Sequence, residues 1–218
     1  MSRTTDSAVV FDFDGTLVLG ADTDPAVADI LMRHGARADR TALMEIIGAT
    51  NSDWALVSAC VPSPVREKAY AEILTASAGA AAASQCDVEL APMLALLHSR
   101  HRLFIVSGRD EASLRTILDR HHLGSYFEAI VAAAPGIPEK PDPAPLKDLL
   151  VQCSLPTDAI TYVGDKDIDH AFATRAGVAF VGATWYVDRL TVDCTKVTRP
   201  AALPDFITQA FRARSAAV

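Results

Sequence analysis

Apolar, β-branched positions cluster in short runs along the chain, and the residues that terminate each run decide its reading. Residues 8–13, Ala-Val-Val-Phe-Asp-Phe, break into Asp14-Gly15, which predicts a buried strand ending at a polar tip. From residue 24 to 84 the pattern becomes helical. Apolar positions at helical spacing occupy 25–32, 42–47, 53–57 and 65–83, with turn residues between them and no strand candidate. The Ala-rich stretch 76–83 reads as a helix end or a linker. After Pro92, strands expected at 103–106, 129–133, 160–163 and 178–181 alternate with helices expected at 93–100, 111–121, 143–151 and 168–176. The tail holds a candidate edge strand at 192–197 and a candidate closing helix at 205–214.

Strands that alternate with helices imply an α/β fold, a parallel sheet with helices on both faces. A helical block inserted after the first strand becomes a cap over the strand ends, where open α/β sheets bind ligands. The 218 residues suit one domain carrying a smaller inserted one.

Composition narrows the partners. With 20 Lys+Arg against 27 Asp+Glu the formal charge is −7, and no basic tract concentrates positive potential, which argues against a nucleic-acid partner. Residues 1–7 lack the basic-then-apolar order of a secretory signal, and the longest apolar stretches are too short to span a bilayer. The expectation is a soluble cytoplasmic protein with no membrane partner, either monomer or homodimer. Cys60, Cys86, Cys153 and Cys194 lie far apart without a CxxC pair, so free buried thiols are expected.

Four clusters carry candidate chemistry. Asp12 and Asp14 flank Phe13 at the end of the first strand; residues two apart project to one side, and Gly15 lets the chain turn away. Two converging carboxylates call for a cation, although an isolated Asp-Gly can be only a turn. Ser107-Gly108-Arg109 ends the second apolar strand with a hydroxyl and a backbone N–H suited to phosphate oxygens. Lys140, before a helix opened by Pro141 and Pro143, can neutralise a phosphoryl group or be a solvated surface charge. Asp165 at the tip of the strand at 160–163, Asp167, and Asp169 one turn into the next helix offer carboxylates that suit Mg²⁺, although Asp165 and Asp167 can also be ordinary helix N-capping acids. Matched groups at four strand ends favour one shared site.

These four clusters, in order, resemble the four motifs of the haloacid dehalogenase superfamily of aspartate-nucleophile phosphohydrolases, over nearly the whole chain. Gly164-Asp165-x-x-x-Asp169-x-x-x-Ala173-x-x-Ala176-Gly177 matches the fourth motif closely. The helical block and Ile47-Gly48-Ala49-Thr50, similar to a cap loop that touches substrate, resemble the phosphoglycolate phosphatase and β-phosphoglucomutase-like branch. The resemblance implies a Rossmann-like core (1–19 and 88–218), a helical cap (20–87) and a Mg²⁺ cofactor. It implies Asp12 as nucleophile and Asp14 as the acid that protonates the leaving oxygen and then activates water. Lys140 would balance charge, while Ser107, Gly108, Arg109, Gly48 and Thr16 would serve substrate binding. Asp12, the carbonyl of Asp14, Asp165 and Asp169 would form the metal site. Leu19-Gly20 departs from the Asp-Ser frequent in this branch, while Asp14 and Thr16 point to phosphate rather than halide release.

The implied activity is hydrolysis of a small phosphorylated metabolite, phosphoglycolate- or sugar-phosphate-like. Two alternatives are a phosphomutase on the same core and a non-catalytic phosphometabolite-binding protein. His98 with His101 and His121 with His122 read as helix-end residues rather than metal ligands, and Trp54 reads as core rather than pocket. Arg109 reaches either a second anionic group on the substrate or an ion-pair partner.

Overall fold

β1 (Ala8–Phe11) is apolar at every position because it lies inside a parallel sheet and is covered on both faces. The computed structural model describes residues 7–20, 23–50, 52–134 and 136–215. Most of the polar N-terminal segment, residues 1–6, therefore lies outside the described residues. β2 (Arg102–Asp110), β3 (Ala129–Ala133), β4 (Ile160–Gly164), β5 (Ala179–Ala183) and the two-residue β6 (Lys196–Val197) complete the sheet in the order β3-β2-β1-β4-β5-β6, all pairs parallel. The chain leaves β1 toward β2 on one side and later returns to β4 on the other. The C-terminal ends of β1 and β4 thus diverge at a topological switch point, the place where such sheets bind ligands.

Alternation along β1 sends Val9 and Phe11 to one face and Ala8 and Val10 to the other. The first pair packs with Leu90 and Leu94 of α5 (Leu90–His98), Leu114 of α6 (Glu111–Arg120) and Ile207 of α9 (Leu203–Ser215). The second packs with Leu146 of α7 (Ala144–Gln152) and Phe172 of α8 (Asp167–Ala176). Between β1 and β2 the chain forms α1 (Asp24–Arg33), α2 (Arg40–Ala49), α3 (Asp53–Cys60) and α4 (Arg66–Ala81), which bury Leu31, Leu43, Val57 and Ile73 in a core of their own. Side chains define two of these starts: Asp39 accepts from Ala42 N at 2.9 Å, and Ser52 from Ala55 N at 3.3 Å. Where the helical block leaves and rejoins the sheet, Leu19 and Gln85 exchange two backbone hydrogen bonds of 2.9 Å, pinning the crossings side by side.

Several expected boundaries shift for physical reasons. Residues 47–49 form the last turn of α2 rather than a loop, and the helix stops where extended Thr50 turns its hydroxyl back to Ile46 O at 2.7 Å. The expected edge strand at 192–197 shortens to Lys196–Val197, because Thr191 and Val192 N–H groups bond Asp167 instead of a strand. β2 extends through Ser107-Gly108-Arg109, with a register shift against β3 between Val106 and Asp110. All four cysteines are free but half-buried rather than fully buried. Trp54 stacks edge-on against Tyr70 at 5.2 Å. Among the described residues no helix is long and apolar enough to cross a membrane.

Phe172, fully buried, stacks edge-on against Tyr162 at 5.3 Å beneath the strand ends. Phe172→Ala is expected to cost about 3 to 5 kcal/mol of stability, read by urea denaturation.

Candidate active site

The end of β1 delivers Asp12, and the β4–α8 junction delivers Asp165 and Asp169. One carboxylate oxygen from each lies within 4.8 Å of the others, and all three residues are buried. Ionised pairs within that distance repel by roughly 3 kcal/mol or more at an effective dielectric constant of about 20. Two glycines permit the approach. A Cβ on Gly164 would sit 2.5 Å from Cβ of Asp169, and one on Gly15, whose φ is +85°, would overlap the Asp165 carboxylate. The Lys140 ammonium partly offsets the repulsion by donating to Asp12 Oδ1 at 2.6 Å and Asp169 Oδ1 at 2.8 Å. Its side chain is only 6% exposed and lies 5.3 Å from the Tyr162 ring centroid and 5.7 Å from that of Phe172. The second Asp169 oxygen accepts from Lys166 N at 3.2 Å, which fixes its rotamer at the start of α8.

Three carboxylates and one ammonium leave two negative charges when all are ionised. Burial first, then the Asp169 charge, push the Asp12 carboxyl up from 3.8 to about 8 against the pull of Lys140. Burial and Asp169 likewise push Asp165 up to about 6, against Lys166 and Arg189. Oδ1 of Asp165 is buried without a hydrogen-bond partner, while its Oδ2 accepts from Arg189 at 3.3 Å. An orphaned buried oxygen inside a ring of hard carboxylate donors fits a divalent cation.

Beside this cluster opens a cavity of about 190 Å³ between the strand ends and the helical block, lined by Asp12, Asp14, Ser107, Gly108, Arg109 and Lys140 among others. The register shift in β2 re-aims the Ser107-Gly108-Arg109 segment toward it. The Arg109 guanidinium grips Asp14 through both carboxylate oxygens, Nε to Oδ2 at 2.9 Å and the second nitrogen to Oδ1 at 2.8 Å.

The haloacid dehalogenase-like hydrolase family matches residues 9–183, a span that holds all of these groups except Arg189. The chain belongs to this family. It is 31% identical over 183 residues to a phosphoglycolate phosphatase of Cereibacter sphaeroides, covering 79% of this chain and 82% of that one. To a phosphoglycolate phosphatase of Synechococcus elongatus it is 28% identical, with 93% and 92% covered. The crystal structure of a putative phosphoglycolate phosphatase from Lactobacillus plantarum shares the fold, with a TM-score of 0.74, 19% identity, and 93% and 99% of the chains covered. Within the haloacid dehalogenase-like hydrolases the chain is a phosphoric monoester hydrolase, the class of these named relatives.

The structure brings Asp12, Asp14, Ser107, Gly108, Arg109, Lys140, Asp169 and Gly48 of this hydrolase to one cavity, with Asp165 buried beside it. Gly48 reaches the cavity from the last turn of α2, not from a loop. Thr16 stands apart from this group. It is fully buried, does not line the cavity, and offers its carbonyl to Trp185 Nε1 at 2.8 Å, because the turn after Phe13 folds its side chain inward. Asp14 supplies no carboxylate to the cluster, since Arg109 holds both oxygens. Lys140 is not a solvated charge, and Asp167 anchors Thr191 rather than capping a helix. Three of the four histidines weighed above are absorbed structurally: His98 bonds Tyr126 O, His101 bonds Ser7, and His121 bonds Ser84. Sequence reasoning missed Asp24 and Asp53 on the cavity wall and Arg189 on Asp165. The helix-start position of Asp24 and Asp53 is a sequence signal, but it reads equally as capping.

Asp12 and Asp165 bind a proton more tightly folded than unfolded. Without a divalent cation, their contribution to stability therefore falls as pH rises from about 4 toward about 8. In a thermal-shift assay a divalent cation should raise the melting temperature more at about pH 8 than at about pH 5. Gly164→Ala should weaken that cation's binding by about 10-fold or more, measured by calorimetric titration.

Proposed function

We propose that this hydrolase is a Mg²⁺-dependent phosphatase that cleaves a small phosphomonoester, phosphoglycolate- or sugar-phosphate-like, through a phospho-aspartyl intermediate. The observation that carries the reading is the buried carboxylate trio shared with Lys140, opening onto a cavity that Ser107 and Gly108 also line. Relatives named phosphoglycolate phosphatase support the substrate class.

Attack by a carboxylate on a phosphate anion needs charge cancellation and alignment more than covalent assistance. Asp12, the carbonyl of Asp14, Asp165 and Asp169 would hold Mg²⁺, which supplies neutralisation of phosphoryl charge when bound. Lys140, fixed by Asp12 and Asp169, adds a second positive charge at the nucleophile. Ser107 and the Gly108 N–H donate to phosphoryl oxygens. An Asp12 oxygen attacks phosphorus as the ester P–O bond breaks, and Asp14, having taken a proton from solvent once its pair with Arg109 has opened, passes that proton to the departing oxygen. Asp14 then takes a proton from the water that attacks the phospho-aspartate, which frees phosphate and restores Asp12. Because both Asp14 oxygens are held by Arg109, this ion pair opens before Asp14 can act. The helical cap, residues 20–87, closes about the paired Leu19 and Gln85 and excludes water from the reacting groups. The protein works in the cytoplasm on a soluble metabolite, without nucleic-acid or membrane partners.

Phosphate release from a panel of small phosphomonoesters, with Mg²⁺ and with chelator, is the test. Release should require Mg²⁺, and Asp12→Asn should lower it by at least about 10³-fold while circular dichroism shows an intact fold. Full activity in Asp12→Asn would overturn the nucleophile assignment.

A further inference from the structure

We propose that the alcohol esterified to the phosphate carries hydroxyl or ammonium donors and no second negative charge, with Asp53 as its acceptor on the cap side. This rests on the phosphatase reading and narrows its substrate class against carboxylate-bearing esters such as phosphoglycolate.

The two walls of the cavity differ in chemistry. From the helical block come Thr23, Asp24, Thr50, Ser52, Asp53 and Ser77, polar groups that are all hydroxyls or carboxylates, alongside apolar residues and Gly48. Among the described residues lining the cavity, α1 to α4 contribute no Lys, Arg or His. The cations there, Arg109, Lys140 and Lys166, come from the sheet side, and two are already engaged. Lys140 bonds Asp12 and Asp169, and Arg109 bonds both oxygens of Asp14. Six carboxylates line the cavity against three cations, before a phosphate dianion enters.

Asp53 lies in the first turn of α3, and no described residue donates a hydrogen bond to its carboxylate. Burial pushes it up to about 6 despite the nearby Arg109, with Asp110, Asp14 and Asp24 adding repulsion. One oxygen of Asp110 caps α6 by accepting from Ser113 N at 2.9 Å, and the other is buried without a partner. A substrate carboxylate at this wall would face these like charges with no cap-side cation, and capturing Arg109 would mean breaking a bidentate pair. A hydroxyl or ammonium instead satisfies Asp53 and relieves the repulsion.

The test uses the full-length enzyme with Mg²⁺ and two size-matched pairs: glycerol 3-phosphate against 3-phosphoglycerate, and phosphoethanolamine against 2-phosphoglycolate. p-Nitrophenyl phosphate is assayed alongside, and absence of turnover on every compound overturns the phosphatase reading and this inference with it. With turnover present, kcat/KM is expected to be at least about 10-fold higher for the donor-bearing member of each pair. In Asp53→Asn that ratio should fall toward one, because the repulsion that excludes the acid is removed. The ratio does not depend on the fraction of folded enzyme, so a partly unfolded variant still reports. Equal or better turnover of the acids, or an unchanged ratio in Asp53→Asn, overturns the inference while leaving the phosphatase reading in place. If the acids win and Arg109→Ala removes that advantage, Arg109 is the anion reader.

Discussion

Like-charge repulsion at the ends of β1 and β4 is the constraint on which the rest of this structure depends. Asp12, Asp165 and Asp169 converge within 4.8 Å, and among the described residues one ammonium, Lys140, bonds into the group. Such convergence is costly in a buried setting and persists because the surrounding packing leaves no alternative. β1 is sandwiched between β2 and β4, and two glycines leave no side chain between the acids. Lys140 lies against the rings of Tyr162 and Phe172, so the same hydrophobic layer that stabilises the sheet also places the charge. The uncompensated negative charge leaves an electrostatic demand for further positive charge at the strand ends.

The second ion pair, Arg109 with Asp14, has a different character. It joins the tips of β1 and β2 rather than burying charge deeply, and it occupies both carboxylate oxygens of the residue proposed as acid and base. A guanidinium that holds both oxygens keeps Asp14 aligned with the cavity wall. The sheet thus places a buried carboxylate cluster and a partly buried ion pair side by side, and the hydroxyls and carboxylates of the helical block form the facing wall.

Much of the fold and the site is legible in the sequence because strand tips announce themselves locally. An apolar run followed by Asp-x-Asp-Gly, Ser-Gly or Gly-Asp marks both the strand and the group it delivers. The parallel sense of the sheet and the helical block after its first strand follow from the alternation of periods, whereas the strand order comes from the structure. The misplaced details have local causes that periodicity does not encode. Gly48 stays helical because Thr50, two residues on, ends α2, and the tail strand shortens because Asp167 takes the N–H groups of Thr191 and Val192.

The sequence by itself determined which chemical groups stand at the strand ends, since each is set by a few neighbouring residues and the strand's own periodicity. Only the tertiary structure decided how they pair. Lys140 joins Asp12 across 128 positions and Arg109 joins Asp14 across 95, distances in sequence over which no local pattern carries information. Packing likewise turned Thr16 into the interior and brought Asp53 to the cavity wall. Side-chain contacts between remote segments depend on how helices and sheet layers settle against one another, and that is settled by the whole core at once.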